Sequence, residues 1–152
     1  MIPENVKVVL ERYQLQALEF EQGSTPTSVM AAAKIGCAVG QIAKSILLKT
    51  KYGRFFLVVA AGDRRIDNKK IRDLVGYKAR MASAEETEAQ TGFKPGAVCP
   101  FGIDAIDIFI DASLCQYDTV YPAAGTNASG VPTTHHQLLQ ITSGKVCDVM
   151  KD

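Results

Sequence analysis

Two runs of β-forming residues, at positions 42–48 and 55–61, constrain the fold more than any other part of the sequence. Both runs are rich in Ile, Leu, Val, Phe and Ala, and the turn-forming segment Thr50-Lys51-Tyr52-Gly53 lies between them. Apolar β-forming runs that flank a short segment with polar residues and glycine are typical of an antiparallel hairpin. We therefore expect these two strands to pair.

Helix signals lie on both sides of this hairpin. Pro3 suits a first helical turn, and the apolar residues that follow it recur at helical spacing: Val6, Val9, Leu10 and Tyr13. Further helices are predicted at residues 29–35 before Gly36, at 67–75 before Gly76, from Ser83 to about Thr91 before Gly92, and after Thr134. The last two begin with the capping-box pairs Ser83/Glu86 and Thr134/Gln137.

Short strands are predicted at residues 18–20, 107–111 and 119–121, and residues 145–150 are expected to complete the sheet. The first of these should be half buried, because Leu18 and Phe20 alternate with Glu19 and Glu21. Strands and helices are mixed without strict alternation, which favours the α+β class with a mixed, largely antiparallel sheet. With 152 residues, 47% of them hydrophobic, we expect a single domain over residues 1–152.

Composition narrows the classes of function. Seventeen Lys and Arg against sixteen Asp and Glu give a net charge of +1, so any RNA contact must be local. No run approaches the roughly 18 apolar residues of a membrane helix, and no signal peptide opens the sequence. A soluble cytoplasmic protein is expected. Its four cysteines lie far apart, without a CxxC pair and without a signal peptide before them, so we expect them to be reduced and mostly buried.

Lys44 is the first candidate for chemistry. On a strand, alternate residues share a face, which places this lysine beside Ile42, Ile46 and Leu48. An ammonium group on an apolar face either extends to solvent or opens into a functional cavity. A β-bulge would instead turn Lys44 outward.

Two loops can form a binding site. Residues 92–102 contain Gly92, Pro95, Gly96, Pro100 and Gly102, and residues 121–130 consist mainly of small side chains. Glycines let a ligand approach main-chain N–H groups, and small side chains leave it room. The same residues also serve simple turns, so both interpretations stay open, and Asn127 can equally donate to a ligand or stabilise its own turn.

Other polar features carry weaker signals. His135 and His136 stand at a predicted helix start, where capping or exposure explains them, and no Cys/His spacing fits a zinc site. Between Asp63 and Arg80, seven basic residues against three acidic ones give a local charge of +4. That segment can contact phosphates or form a solvated helix face.

Taken in order, three segments carry a family resemblance: Gly40-Gln41-Ile42-Ala43-Lys44-Ser45-Ile46-Leu47, the loop from Pro95 to Gly102, and Tyr121 to Asn127. With these motifs the chain resembles the YbaK/ProX (prolyl-tRNA editing) family of aminoacyl-tRNA deacylases over nearly its whole length. The resemblance implies a partly barrel-like sheet flanked by helices and hydrolysis of the ester of a mischarged tRNA. It implies no cofactor and no metal.

The same resemblance assigns the site. Lys44 matches the family's essential lysine and would act as the catalytic cation, whereas the substrate-binding set would be Phe20, Ser45, Pro95, Gly96, Ala97, Gly102, Ala123, Ala124, Gly125 and Asn127. The implied partners are the acceptor end of an aminoacyl-tRNA and, as an optional partner, a prolyl-tRNA synthetase, with neither membrane nor DNA. The family lacks a protein nucleophile, and the neighbouring ribose hydroxyl is thought to assist the attack.

The amino acid that is removed stays open. Members that remove cysteine from tRNA for proline tend to carry a serine and a glycine-basic-glycine run where this chain has Ala123 and Gly125-Thr126-Asn127-Ala128, which disfavours cysteine. A tRNA for proline, or a related tRNA, carrying a small amino acid is the expected substrate. Two alternatives are a non-catalytic module that binds a nucleotide, an aminoacyl adenylate or a protein, and a Lys44 that forms a Schiff base with a carbonyl substrate.

Overall fold

A computed structural model describes residues 1–152 and contains five α-helices, seven strands and two 3-10 turns. The helices are α1 (Glu4–Arg12), α2 (Ser28–Ile35), α3 (Asn68–Val75), α4 (Ala84–Thr91) and α5 (His135–Thr142). The strands are β1 (Leu18–Glu19), β2 (Ala43–Thr50), β3 (Phe55–Ala61), β4 (Ala79–Met81), β5 (Asp107–Asp111), β6 (Ser129–Gly130) and β7 (Lys145–Cys147). The 3-10 turns are Val39–Gln41 and Ala112–Gln116. The predicted α+β class is confirmed.

The main sheet has the strand order β4-β2-β3-β5-β7. β2 pairs antiparallel with both β3 and β4, whereas β3 with β5 and β5 with β7 are parallel. The sheet is therefore mixed, as predicted, but its pairings are evenly divided rather than largely antiparallel. β4 and β7 are its two edges and do not pair, so the sheet is open and does not close into a barrel. β1 and β6 form a separate antiparallel pair.

Local capping signals in the sequence produce the helix ends. Asp67 accepts from the N–H groups of Lys69 and Lys70 at the start of α3, and Ser83 and Glu86 form the predicted capping box of α4. Helices α2, α3 and α4 each end at a glycine in the left-handed conformation, where a Cβ would be strained. The hairpin of β2 and β3 is also confirmed.

Both faces of the main sheet are buried. One face packs against α1 and α5 in a cluster of 19 buried residues that includes Leu57, Val59 and Leu138. The opposite face packs against α3 and the C-terminal segment, where Phe56 and Ile71 lie in a second cluster. β3 is the central strand, and each of its residues after Phe55 is buried.

Some predicted elements differ from the observed ones. β1 has only two residues, and both are exposed rather than half buried. Residues 119–121 form only isolated bridges, from Tyr121 to Ile42 and from Val120 to Thr133, because no partner strand continues beside them. The last strand stops at Cys147, and β4 and β6 were not predicted. The longest helix has nine residues, and none has the length and apolar character that crossing a bilayer requires.

Candidate functional site

A cavity of about 430 Å³ lies at the first half of β2, where no neighbouring strand covers the sheet edge. Five parts of the chain, far apart in sequence, provide its walls. Its lining residues include Thr25, Pro26, Thr27, Ser28 and Ala31 before and within α2, residues 42–47, and Met81, Ala82, Ala84 and Thr87 around the start of α4. The remaining walls are Pro95, Gly96 and Val98, together with Tyr121, Ala123 and Ser129.

Lys44 lies in the wall of this cavity and is half buried. As the alternation predicts, it shares a sheet face with Ile46 and Leu48, whereas Ile42 precedes the strand and packs against Ala31 and Ala32 of α2. The Lys44 ammonium donates a hydrogen bond to the main-chain carbonyl of Arg64, in the loop after β3.

The charge of Lys44 is held in an unfavourable environment. Burial lowers the pKa of its ammonium group below the ordinary 10.5; nearby Asp63 opposes this shift, and Arg65 adds to it. The hydrogen bond to Arg64 leaves the other two N–H bonds of the ammonium available to a ligand. A cation held at a cavity wall with unused donors can bind the oxygen atom on which negative charge develops during attack on an ester.

Lys44 is also the only basic or acidic side chain in the wall. No Asp, Glu, His or Cys lines the cavity, and its only other ionisable group is the phenol of Tyr121. The cysteines lie elsewhere: burial raises the pKa of Cys99 to about 12, and burial is also the main cause of a raised pKa for Cys147. A thiol nucleophile and a carboxylate or imidazole base are therefore absent from this wall.

The loop at Gly96 closes one side of the cavity. Gly96 has a positive φ of 86°, and a Cβ at this position would lie 3.2 Å from the carbonyl oxygen of Pro26. The main chain of Gly96 therefore packs directly against the segment that leads into α2. A side chain at this position would be strained and would push the two walls apart.

The structure separates the predicted binding residues into three groups. Ser45, Pro95, Gly96 and Ala123 line the cavity together with Lys44. On the other side of the Pro95 turn, a second cavity of about 500 Å³ is lined in part by Phe20, Ala97, Gly125 and Asn127, and Pro95 borders both. The remaining two lie outside both cavities: Ala124 is fully buried in the core, and Gly102 packs against Asn5 of α1.

Asn127 stabilises the cavity wall through hydrogen bonds to the segment before α2. Its side-chain oxygen accepts from the main-chain N–H of Gly23 at 3.0 Å, and its carbonyl accepts from Thr25 N at 2.6 Å. Thr25 Oγ1 in turn accepts from Ser129 N at 3.1 Å. These bonds join the segment before α2 to the 121–130 loop. The side-chain oxygen of Asn127 therefore takes part in a hydrogen bond within the protein.

Several wall residues carry no prominent sequence signal. The segment from Thr25 to Ala31 was recognisable only as a helix start, and Met81 with Ala82 lies at the end of an unpredicted strand. Ser129 is a core residue whose hydroxyl accepts from Ala124 N at 3.0 Å. The hydroxyl groups of the Ser24–Ser28 stretch are the one feature that could have marked this wall in advance.

A groove of about 590 Å³ adjoins the far end of β2. Basic residues of the 63–80 segment line part of it. Two more lysines come from β2 and from the turn after it, Lys49 and Lys51. Its lining residues are Lys49, Thr50, Lys51, Asn68, Lys69, Arg72, Lys78, Ala79 and Arg80. Glu86 pairs with Lys49 at 2.9 Å and with Arg80 at 2.8 Å, whereas the other four basic side chains form no salt bridge. Below, this set is called the basic groove.

β4 connects the basic groove to the cavity. Ala79 and Arg80 line the groove, and Met81, the next residue, lines the cavity with 65% of its surface exposed. The linings of the two surfaces therefore adjoin along the chain at the end of β4.

Comparison with known proteins finds relatives in both sequence and fold. A family model described as "Aminoacyl-tRNA editing domain" matches residues 22–141. The uncharacterized protein YwhH of Bacillus subtilis is 43% identical over 136 residues, which are 88% of this chain and 86% of YwhH. The proline–tRNA ligase of Bacillus licheniformis is 34% identical over 85% of this chain, which corresponds to 22% of the ligase. A crystal structure described as a candidate trans-editing enzyme for prolyl tRNA synthetase covers the whole chain with a TM-score of 0.88 and 31% identity.

Proposed function

The chain belongs to the aminoacyl-tRNA editing domain family, and on that premise we propose that it is a free-standing deacylase that hydrolyses the ester of a mischarged tRNA. The resemblance inferred from the sequence motifs is confirmed by the family match. The observation that supports the activity most directly is the cavity itself, which has a single cation, Lys44, in a wall without acidic groups.

The reaction requires little from the protein beyond positioning. An ester is an activated acyl group, so orientation and one stabilising charge can supply much of the acceleration. Water adds to the acyl carbon, the ester C–O bond breaks, and the amino acid leaves while the ribose oxygen takes up a proton. Lys44 would bind the terminal nucleoside and the developing oxyanion, and the neighbouring ribose hydroxyl would assist the attacking water.

The remaining site residues fit around that reaction. We assign Pro95, Gly96 and Ala123 to the wall that receives the aminoacyl side chain, because they line the cavity and their own side chains occupy little of it. The other predicted binding residues would support the loops that form this wall: Phe20, Ala97, Ala124, Gly125 and Asn127. Gly102 would support them through its contact with α1. The proposed acyl group is a small amino acid, as the family resemblance implies.

The basic groove is proposed to contact the phosphates of the acceptor stem. Four unpaired basic side chains, Lys51, Lys69, Arg72 and Lys78, give it the charge that phosphates require, and β4 connects it to the cavity. The tRNA for proline is the proposed substrate, because the ligase relative and the structural neighbour are both named for proline. A prolyl-tRNA synthetase is the proposed optional partner.

A panel of mischarged tRNAs tests this function. The purified protein is incubated with tRNA for proline and a non-cognate tRNA, each carrying alanine, serine, cysteine or proline, and the released amino acid is measured. Release of one or more small amino acids, faster from tRNA for proline, supports the proposal. Saturable binding of these tRNAs without release would instead support the non-catalytic binding module, and trapping of a substrate on Lys44 by borohydride would support Schiff-base chemistry.

A further inference from the structure

The edge of β2 that faces the cavity has main-chain groups without partners. β3 pairs with the whole of β2 on one side. On the other side, Ala43 N donates to Tyr121 O at 3.1 Å, and Leu47 O accepts from Ala82 N at 2.9 Å. Because alternate residues of a strand direct their N–H and C=O groups to the same side, Ser45 also points its N–H and C=O to this open side.

The pairing with β3 confirms that orientation. Ala61, which faces Ala43 across the pair, donates its N–H to Ser113 Oγ rather than to β2, so Ala43 and Ala61 form a non-hydrogen-bonded pair. Two residues further along, Ser45 and Val59 occupy the same type of pair. Neither the N–H nor the C=O of Ser45 bonds to another loop or to a side chain, and its Oγ is also without a partner.

The unpaired N–H and C=O groups of Ser45 favour a bound ligand at this edge. Main-chain N–H and C=O groups are strong hydrogen-bonding groups, and an open strand edge binds whatever presents the complementary pattern. The complement of one residue's N–H and C=O is a donor and an acceptor separated by a single tetrahedral carbon. An aminoacyl ester presents this pattern, because its α-ammonium and its carbonyl flank one carbon atom.

We propose that the aminoacyl group binds to the edge of β2 as a single residue of a strand would, opposite Ser45. Its α-ammonium donates to Ser45 O, and its ester carbonyl accepts from Ser45 N, as in a hydrogen-bonded antiparallel pair. This inference rests on the proposed function and deepens it: the protein recognises the α-amino group common to all amino acids through its main chain. The Ser45 N–H then becomes a second donor to the oxyanion, beside Lys44.

Substrates that lack the α-amino group test the first contact. Wild-type protein is given tRNA for proline carrying alanine or propionate, with cysteine and 3-mercaptopropionate as a second pair. Each kcat/KM is divided by the rate of the same ester without protein, because the ammonium group itself activates the ester. Loss of one charge-assisted hydrogen bond should lower the normalised value for the deaminated member about 10- to 100-fold. Equal normalised values within both pairs would overturn the proposal.

Ser45→Pro tests the second contact, because proline lacks the N–H and is tolerated where a strand edge makes no bond to a neighbour. It is compared with Ser45→Ala, which lacks the same hydroxyl but keeps the N–H, so the ratio of the two reports the main-chain group. A roughly 10- to 100-fold lower kcat/KM for the proline variant, with cooperative thermal unfolding retained, is expected. A folded proline variant as active as the alanine variant would overturn the proposal.

The deacylase activity and the Ser45 contact can be refuted separately. If the proline variant does not fold, the deaminated substrates still decide the matter on the wild-type protein. If the wild type releases no amino acid from any tRNA, the proposed function itself is wrong, and this inference falls with it. If the wild type is active but indifferent to the α-amino group, only the Ser45 contact is wrong.

Discussion

Replacement of Lys44 by methionine should separate activity from stability. The side chain keeps a similar length but loses its charge, and no other basic or acidic group in the cavity wall can take its place. Loss of one preorganised donor to an oxyanion costs on the order of 10²- to 10³-fold, or about 2.7–4 kcal/mol of transition-state stabilisation. We expect kcat/KM to fall by this amount on the best substrate of the tRNA panel.

The stability of the Lys44→Met variant should change much less than its activity. Since burial lowers the Lys44 pKa below 10.5, the folded state disfavours the charged form, and the folded protein gains stability as pH rises through the lowered pKa. The methionine variant avoids the cost of burying the charge and gives up one hydrogen bond, to Arg64. Its free energy of unfolding at neutral pH should therefore differ from that of the wild type by no more than about 1 kcal/mol.

Single-turnover deacylation and urea unfolding measure the two quantities, with Lys145→Met as the matched control, because Lys145 is an exposed strand lysine outside the cavity. The wild-type rate, normalised to spontaneous hydrolysis, should also decline as pH rises through the lowered Lys44 pKa, and the variant should show no such decline. Unchanged kcat/KM in Lys44→Met on every tRNA would refute the reasoning. A parallel loss of stability and activity would assign Lys44 a structural role instead.

Three further outcomes are expected. Gly96→Ala should lose about 1–2 kcal/mol of unfolding free energy, because its φ is 86°, and urea titration that shows no loss would contradict the assigned strain. Glu86→Gln should lower Tm at pH 7, and because hydrogen bonding holds the pKa of Glu86 below 4.5, the difference from wild type should shrink as pH falls below that value. The double variant Lys69→Glu with Arg72→Glu should weaken tRNA binding. It should also reduce the slope of the logarithm of the binding constant against the logarithm of salt concentration by roughly 1 to 2, whereas Lys7→Glu on α1 should change neither quantity.

Local signals made much of the fold predictable. Asp67, Ser83 and Thr134 cap their helices with bonds that span two or three residues, and such contacts depend on nearby sequence alone. β4 was missed for the opposite reason. Ala79, Arg80 and Met81 have little preference for strand, and they form one because β2 provides a partner.

At the site, too, local relations could be predicted from the sequence and long-range ones could not. Alternation along β2 placed Lys44 correctly on its sheet face, since that relation is set within one strand. Gly96 and Gly102 look alike in sequence, and both have positive φ, yet one borders the cavity and the other packs on Asn5 of α1. Only the path of the loop in three dimensions distinguishes them. The wall at Thr25 depends on bonds to Ser129, 104 positions away, which no local pattern encodes.

The β1 and β6 pair has a consequence for synthesis of the protein. Leu18 pairs with Gly130, 112 positions later in the chain, and at the usual rate of elongation this partner emerges roughly 6 to 22 s afterwards. Until then the segment before α2 lacks the hydrogen bonds that join it to the 121–130 loop. A nascent chain on the ribosome should thus remain inactive until it is almost complete, and a truncated product should carry an exposed strand edge that chaperones or proteases can recognise.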